Sequence, residues 1–279
     1  MQNQHPVFQV EYYDTYDFVA FIHELAENGF PTPDFYDGFY DFIKNHTGKI
    51  FYPFQKVSVL HQFISFSVYE SFKENVDDVV LDNVINQKDY VLWVNSALNV
   101  HKISHLDFNA WLDKQSLSIE NVNNESVILD YYGYLYKAGS LKYLLEKISN
   151  EVFFVLFLNR HFLYLFNKRI SPQTKEIKII DLPENIKQLF KKDGILKRVN
   201  IPVWSRKAVF YRDRGLCSNC QKDISGLVNI HNAKHFDHII PLAFGGLNDI
   251  SNLQLLCETC NLKKSGKEIQ ASKVYEKWY

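Results

Sequence analysis

The four cysteines constrain this 279-residue chain most, because they fall as two Cys-x-x-Cys pairs: Cys217-Ser218-Asn219-Cys220 and Cys257-Glu258-Thr259-Cys260. Two thiolates two residues apart can bite one metal, and two such pairs complete the tetrahedral four-sulfur shell that zinc prefers. The first residues, Met1 to His5, carry neither the positive charge nor the apolar run of a secretory leader. A cytoplasmic location is therefore expected, where structural disulfides are disfavoured. Disulfides or unpaired thiols are the alternative to zinc. A closed four-sulfur shell leaves no position for water, so it is structural, and any chemistry must come from other residues.

Such residues lie between and just after the two pairs. Phe236-Asp237-His238-Ile239-Ile240-Pro241-Leu242 reads as a strand ending at proline, with Asp and His adjacent. Gly245-Gly246 starts a loop, Asn252-Leu253-Gln254-Leu255-Leu256 reads as a returning strand, and Cys260-Asn261-Leu262-Lys263-Lys264 opens a helix. Alone, each of these residues would be ordinary surface or turn. Taken with Arg212-Asp213-Arg214-Gly215 and the cysteines, their order and spacing over residues 204 to 268 closely resemble the HNH endonuclease family. The resemblance does not extend into the first 180 residues or so.

The resemblance implies a ββα-metal unit, a β-hairpin packed on a helix with the active site between them. It implies His238 as general base, since a neutral imidazole of reference pKa about 6.5 suits proton removal from water near neutral pH. It implies Asp237, on the opposite strand face, as ligand to a divalent cation, with Asn261 as the second ligand. Oxygen donors favour Mg²⁺ or Mn²⁺. Asn252 would brace the loop and orient His238. His235 shares a strand face with Asp237 and could assist the metal or touch DNA; His231 reads as loop.

The balance of 31 basic and 32 acidic residues hides an asymmetry. From residue 201 onward eleven basic residues oppose seven acidic ones. Lys187, Lys191, Lys192, Lys197, Arg198, Arg206, Lys207, Arg212 and Arg214 form a basic run opposed only by Asp193 and Asp213. By itself such a run is as well read as a solvated face. Directly before a nuclease motif it reads better as a phosphate-contacting surface. Arg206, Lys207, Arg212, Arg214, Lys263 and Lys264 are the expected DNA contacts.

Of 22 Phe and 17 Tyr, all but Phe210, Phe236, Phe244, Tyr211, Tyr275 and Tyr279 precede residue 201, so the first 200 residues can bury a large core. Helical spacing runs from Asp14 or Thr15 to Asn28-Gly29, over Asp34 to Asn45, Val57 to Phe72 and Leu141 to Phe166; Ile177 to Ile180 reads as a short strand. The apolar stretch Val152 to Phe166 is interrupted by Asn159, Arg160 and His161, and reads as a buried helix rather than a membrane span. His101 and His105, four apart, would share a helix face, but without a following Glu they read as ordinary packing or surface histidines.

The expected fold class is α+β: a mainly helical N-terminal domain over 1–182, a basic linker over 183–203, and a small zinc-stabilised HNH domain over 204–279. The expected function is metal-dependent hydrolysis of DNA phosphodiester bonds, with structural Zn²⁺ and catalytic Mg²⁺ or Mn²⁺. A DNA-binding zinc-knuckle module without cleavage, regulated by a protein partner, is the alternative. The N-terminal part is where a protein partner or a second copy would dock, and family analogy alone suggests restriction or anti-phage defence.

Overall fold

The computed structural model describes residues 14–29, 38–74, 92–117, 125–226 and 233–264. Eleven α-helices are seen among them: α1 (Thr15–Asn28), α2 (Gly38–Ile50), α3 (Val59–Glu74), α4 (Trp93–Val100), α5 (Phe108–Lys114), α6 (Glu125–Ala138), α7 (Ser140–Phe157), α8 (Arg160–Glu176), α9 (Glu184–Lys187), α10 (Val203–Arg212) and α11 (Glu258–Lys264). Strands are short: β1 (Phe190–Lys192) pairs with β2 (Ile195–Leu196), and β3 (Phe236–His238) with β4 (Leu253–Leu255), both antiparallel. The chain is thus mostly helical, with two small sheets towards its C-terminal end. Among the described residues no helix is long and apolar enough to cross a membrane.

Local chemistry accounts for the boundaries. Helix α1 stops at Gly29, whose φ of +82° is the left-handed geometry of a helix C-terminus and whose N–H donates to Leu25 O at 3.0 Å. Helix α3 must satisfy exposed N–H groups in its first turn. Ser58 Oγ accepts from His61 N, and the buried carboxylate of Asp249 accepts from Val59 N at 3.0 Å. The helical run expected over Leu141 to Phe166 is two helices. Asn159 breaks it, its Oδ1 accepting from Phe162 N at 3.0 Å as the cap of α8, because a short polar side chain at that point favours a new N-terminus over a continued helix.

The strand expected over Ile177–Ile180 is a turn instead. Ile177 caps α8, and Ile179–Asp181 forms one 3₁₀ turn with Ile180 79% exposed, so its apolar side chains are not shared out across a sheet. The hairpin lies further on, where Asp193-Gly194 connects β1 to β2. Gly194 has φ +63°, and a Cβ there would lie 2.2 Å from Lys175 O. An Asp-Gly pair supplies the positive φ that a two-residue hairpin turn demands.

Contacts divide the chain into two units, Met1–Phe18 with Ile64–Val152, and Val19–Phe63 with Phe153–Tyr279. In the first, Phe18 stacks on Trp93 at 5.4 Å with Phe72 edge-on, and Phe108 and Trp111 surround Tyr131. Asn95 Nδ2 donates to the Tyr131 hydroxyl, which donates to Leu106 O, so this buried phenol is satisfied. His101 and His105 do not share a helix, because α4 ends at Val100. His101 faces Glu151 at 3.4 Å in the interior, and Glu151 also accepts from Thr15 Oγ1.

In the second unit Phe39, Phe42, Phe63 and Phe166 form an aromatic cluster, and Phe51 meets Phe190 at 5.0 Å. The same unit holds the cysteine-bearing region. Helix α8 lies against its loop: Asn167 Nδ2 donates to Ser251 O at 3.0 Å, Lys175 Nζ to Ala243 O at 2.9 Å, and a Cβ on Gly245 would lie 2.2 Å from Ser171 O. Phe54 N donates to Asn248 O at 2.8 Å.

Candidate active site and structural metal centre

The four cysteine sulfurs converge, all within 4.8 Å of one another. Cys220 Sγ and Cys257 Sγ are 3.8 Å apart. A tetrahedral zinc with Zn–S bonds of about 2.3 Å has sulfur–sulfur edges of about 3.8 Å, so the cluster fits that ion. Asn219 Nδ2 and the Cys260 backbone N–H each point at a cluster sulfur at 3.4 Å, as expected where thiolates carry negative charge.

A buried ion pair ties this cluster to the sheet. Arg212 and Asp213, adjacent in sequence at the end of α10, make a two-pronged contact at 2.9 Å. Arg212 also donates to Leu253 O, while Asp213 accepts from Leu255 N and from Ser218 Oγ. Both residues thus bind β4 to the first cysteine pair, and Ser218 N–H adds a bond to Leu255 O.

The β3–β4 register pairs Phe236 with Leu255, Asp237 with Gln254 and His238 with Leu253. Alternation along the strand sends Phe236 and His238 inward and leaves Asp237 half-buried on the other face. Beyond the strand Asn252 braces the loop. Its Oδ1 accepts from Ile240 N at 2.8 Å, and its Nδ2 donates to Ile240 O and Leu247 O. Gly246 is required beneath it, since a Cβ there would lie 1.9 Å from Ile240 O. That close approach is why the loop carries a glycine.

Asp237 is the meeting point of the site. Lys264 Nζ donates to its Oδ2 at 2.8 Å, and Arg198 stands 3.6 Å from its Oδ1. Lys264 is completely buried and donates also to the backbone carbonyl of His238. Asn261 lies one turn before Lys264 on α11. Its Nδ2 donates to Lys234 O at 3.2 Å, leaving Oδ1 as the end that can ligate a cation. His238 is 1% exposed, and its Nε2 faces Asn248 Oδ1 at 3.3 Å. Burial, reinforced by the Arg198 charge, pushes its pKa down from 6.5 to about 4, against the opposing pull of Asp237. The imidazole is therefore neutral near pH 7.

Residues 217–267 match the family model of the HNH endonucleases. They make up the HNH region of the chain. No curated protein and no solved structure matches the chain. Within this region the hairpin is β3–β4 and the helix α11, with Asp237 and His238 on β3, Asn252 just before β4 and Asn261 on α11.

The basic residues expected at the DNA surface divide. Lys207, Arg214 and Lys263 are exposed and Arg206 is half-buried on α10, whereas Arg212 and Lys264 lie inside, committed to Asp213 and Asp237. Lys191, Lys192, Lys197 and Arg198 are exposed on and beside the β1–β2 hairpin. His235 uses Nδ1 on Leu256 O at 3.0 Å, and His231 lies outside the described residues. Asn248 carries no signal in the sequence beyond its place between Gly245-Gly246 and Asn252.

Proposed function

We propose that this protein is a metal-dependent HNH endonuclease that hydrolyses DNA phosphodiester bonds. The observation that carries the reading is the HNH match combined with Asp237 and buried His238 side by side on β3. In this reading Asp237 and Asn261 Oδ1 hold Mg²⁺ or Mn²⁺. The oxygen-only donor set fits such a hard cation, which would compete with Lys264 and Arg198 for the Asp237 carboxylate. When bound, the ion would neutralise charge developing on the phosphate and the leaving oxygen.

His238 then takes one proton from a water molecule as the water oxygen bonds to phosphorus. The P–O3′ bond breaks, and the 3′ oxygen leaves with its electron pair and is protonated by solvent. Asn252 holds the loop rigid behind the base, and the exposed basic residues at 191, 192, 197, 198, 207, 214 and 263 grip the flanking phosphates.

Burial of His238 to 1% exposure favours a second reading, a DNA-binding zinc module that does not cut. Incubating the purified protein with modified and unmodified plasmid, with and without Mg²⁺, separates the two. Magnesium-dependent nicks or breaks support the nuclease, and retained DNA binding without cleavage on either substrate supports the module. Differential cutting of the two plasmids would bring in restriction or anti-phage defence as the biological role.

A further inference from the structure

We propose that Asn248 is a positioning residue for His238: it fixes the imidazole as the Nε2–H tautomer and so makes Nδ1 the proton-accepting atom. This rests on the nuclease reading for its role in catalysis, but its geometric content stands apart from activity. Asn248 is 5% exposed, and its side chain lies between two partners. Its Nδ2 donates to Lys197 O at 2.8 Å, and its Oδ1 faces His238 Nε2 at 3.3 Å.

The orientation of the amide follows from Lys197. Turning it over would set Oδ1 against the Lys197 carbonyl, two acceptors with no hydrogen between them. The oxygen therefore belongs on the histidine side, and an amide oxygen can only accept. Nε2 must carry the hydrogen, and in a neutral ring the lone pair is then on Nδ1. That nitrogen is buried and has no hydrogen-bond partner among the described residues, so its lone pair is uncommitted. When Nδ1 gains the proton, the Nε2–H···Oδ1 bond becomes charge-assisted and holds the ring in place.

The backbone of the amide is pinned as well. Phe54 N–H donates to Asn248 O at 2.8 Å, and the next residue, Asp249, accepts from Val59 N, Ser251 N and Ser251 Oγ. Asn252 and Gln254 act elsewhere, on loop backbone and on the His238 carbonyl. Among the described residues Asn248 is the side chain hydrogen-bonded to the His238 ring.

The test is long-range proton–nitrogen NMR on the full zinc-loaded chain with ¹⁵N-histidine, the His238 signals assigned by their loss in His238→Ala. The expected wild-type pattern has a pyridine-type Nδ1 and a protonated Nε2; the reverse pattern overturns the proposal even if the protein cuts DNA. The expected pattern in a protein that does not cut upholds the tautomer assignment and fails the nuclease reading instead. In turnover, Asn248→Leu should lower kcat by about 10- to 100-fold with KM little changed. Asn248→Asp, which still accepts from Nε2–H, should recover part of kcat and the tautomer pattern. Equal loss in both variants, with the tautomer pattern as in wild type, would mean that Asn248 does not act through the imidazole and would overturn the positioning role.

Discussion

Lys264 Nζ lies 2.8 Å from Asp237 Oδ2, and the same ammonium donates to the backbone carbonyl of His238, one residue on. A lysine on the last turn of α11 therefore fixes both the side chain and the backbone of the Asp-His pair. Its neighbour Lys263 is exposed. Two adjacent lysines thus have different physical roles, and substitution separates them. Lys264→Met should cost about 1–3 kcal/mol of stability, because it removes the nearer of the two cations on a half-buried carboxylate. Its effect on the salt dependence of DNA binding should be small. Lys263→Ala should leave stability within about 0.5 kcal/mol and lower the salt slope of binding by about 1. Unfolding curves and binding titrations at several salt concentrations read both. A salt-slope change in Lys264→Met equal to that in Lys263→Ala would put Lys264 on the DNA instead.

Zinc should be found at about one ion per chain and survive mild chelation that strips Mg²⁺. Cys257→Ser should lose the zinc and lower the thermal unfolding temperature, because Cys257 lies against Cys220 and directly follows the buried β4 segment. Metal analysis by mass spectrometry with a parallel melt checks this. Zinc-free wild-type protein with an unchanged melt would remove the structural role of the cluster.

Burial pushes the His61 pKa down from 6.5 to about 4, with its ring stacked on Phe153 at 3.7 Å and its Nδ1 facing Ser58 Oγ. Below pH 6.5 the unfolded chain takes up a proton that the folded chain refuses, so the unfolded state binds more protons and stability falls. The contribution of neutral His61 is complete above pH 6.5 and is lost progressively down to about pH 4. His238 acts in the same direction and window. His61→Gln should therefore flatten, without abolishing, the fall in stability across this window in denaturant titrations. An unchanged slope would mean that His61 is protonated in the folded protein.

The HNH region was the most legible part of the chain because its signals are local. Two Cys-x-x-Cys pairs, Asp237-His238 and Gly245-Gly246 each state their chemistry within a few residues, and the structure sets Asp237 and His238 on opposite strand faces by simple alternation. What remained hidden depends on partners far along the chain. Arg212 and Lys264 read as phosphate contacts because a basic residue is usually exposed, and only the fold brings Asp213 and Asp237 against them. Asp249 caps α3 across 190 residues, a contact no periodicity announces. The Asp193-Gly194 turn was in plain view, yet the strand was expected at Ile177–Ile180, where apolar composition outweighed turn chemistry. Asn159 likewise divides an apolar run that helical spacing alone reads as continuous.

Cleavage of supercoiled plasmid by wild type, His238→Ala, Asp237→Ala and Asn261→Ala, in Mg²⁺ and in excess Mn²⁺, tests the central claim most directly. Loss of a general base is worth about 10²–10⁴ in rate, so His238→Ala should fall by that much while DNA binding and zinc content are retained. Asp237→Ala and Asn261→Ala should also be inactive in Mg²⁺, but with partial recovery in Mn²⁺, because they weaken a metal site rather than remove a proton acceptor. His238→Ala should not recover. Cleavage by His238→Ala at the wild-type rate would contradict the account at its centre.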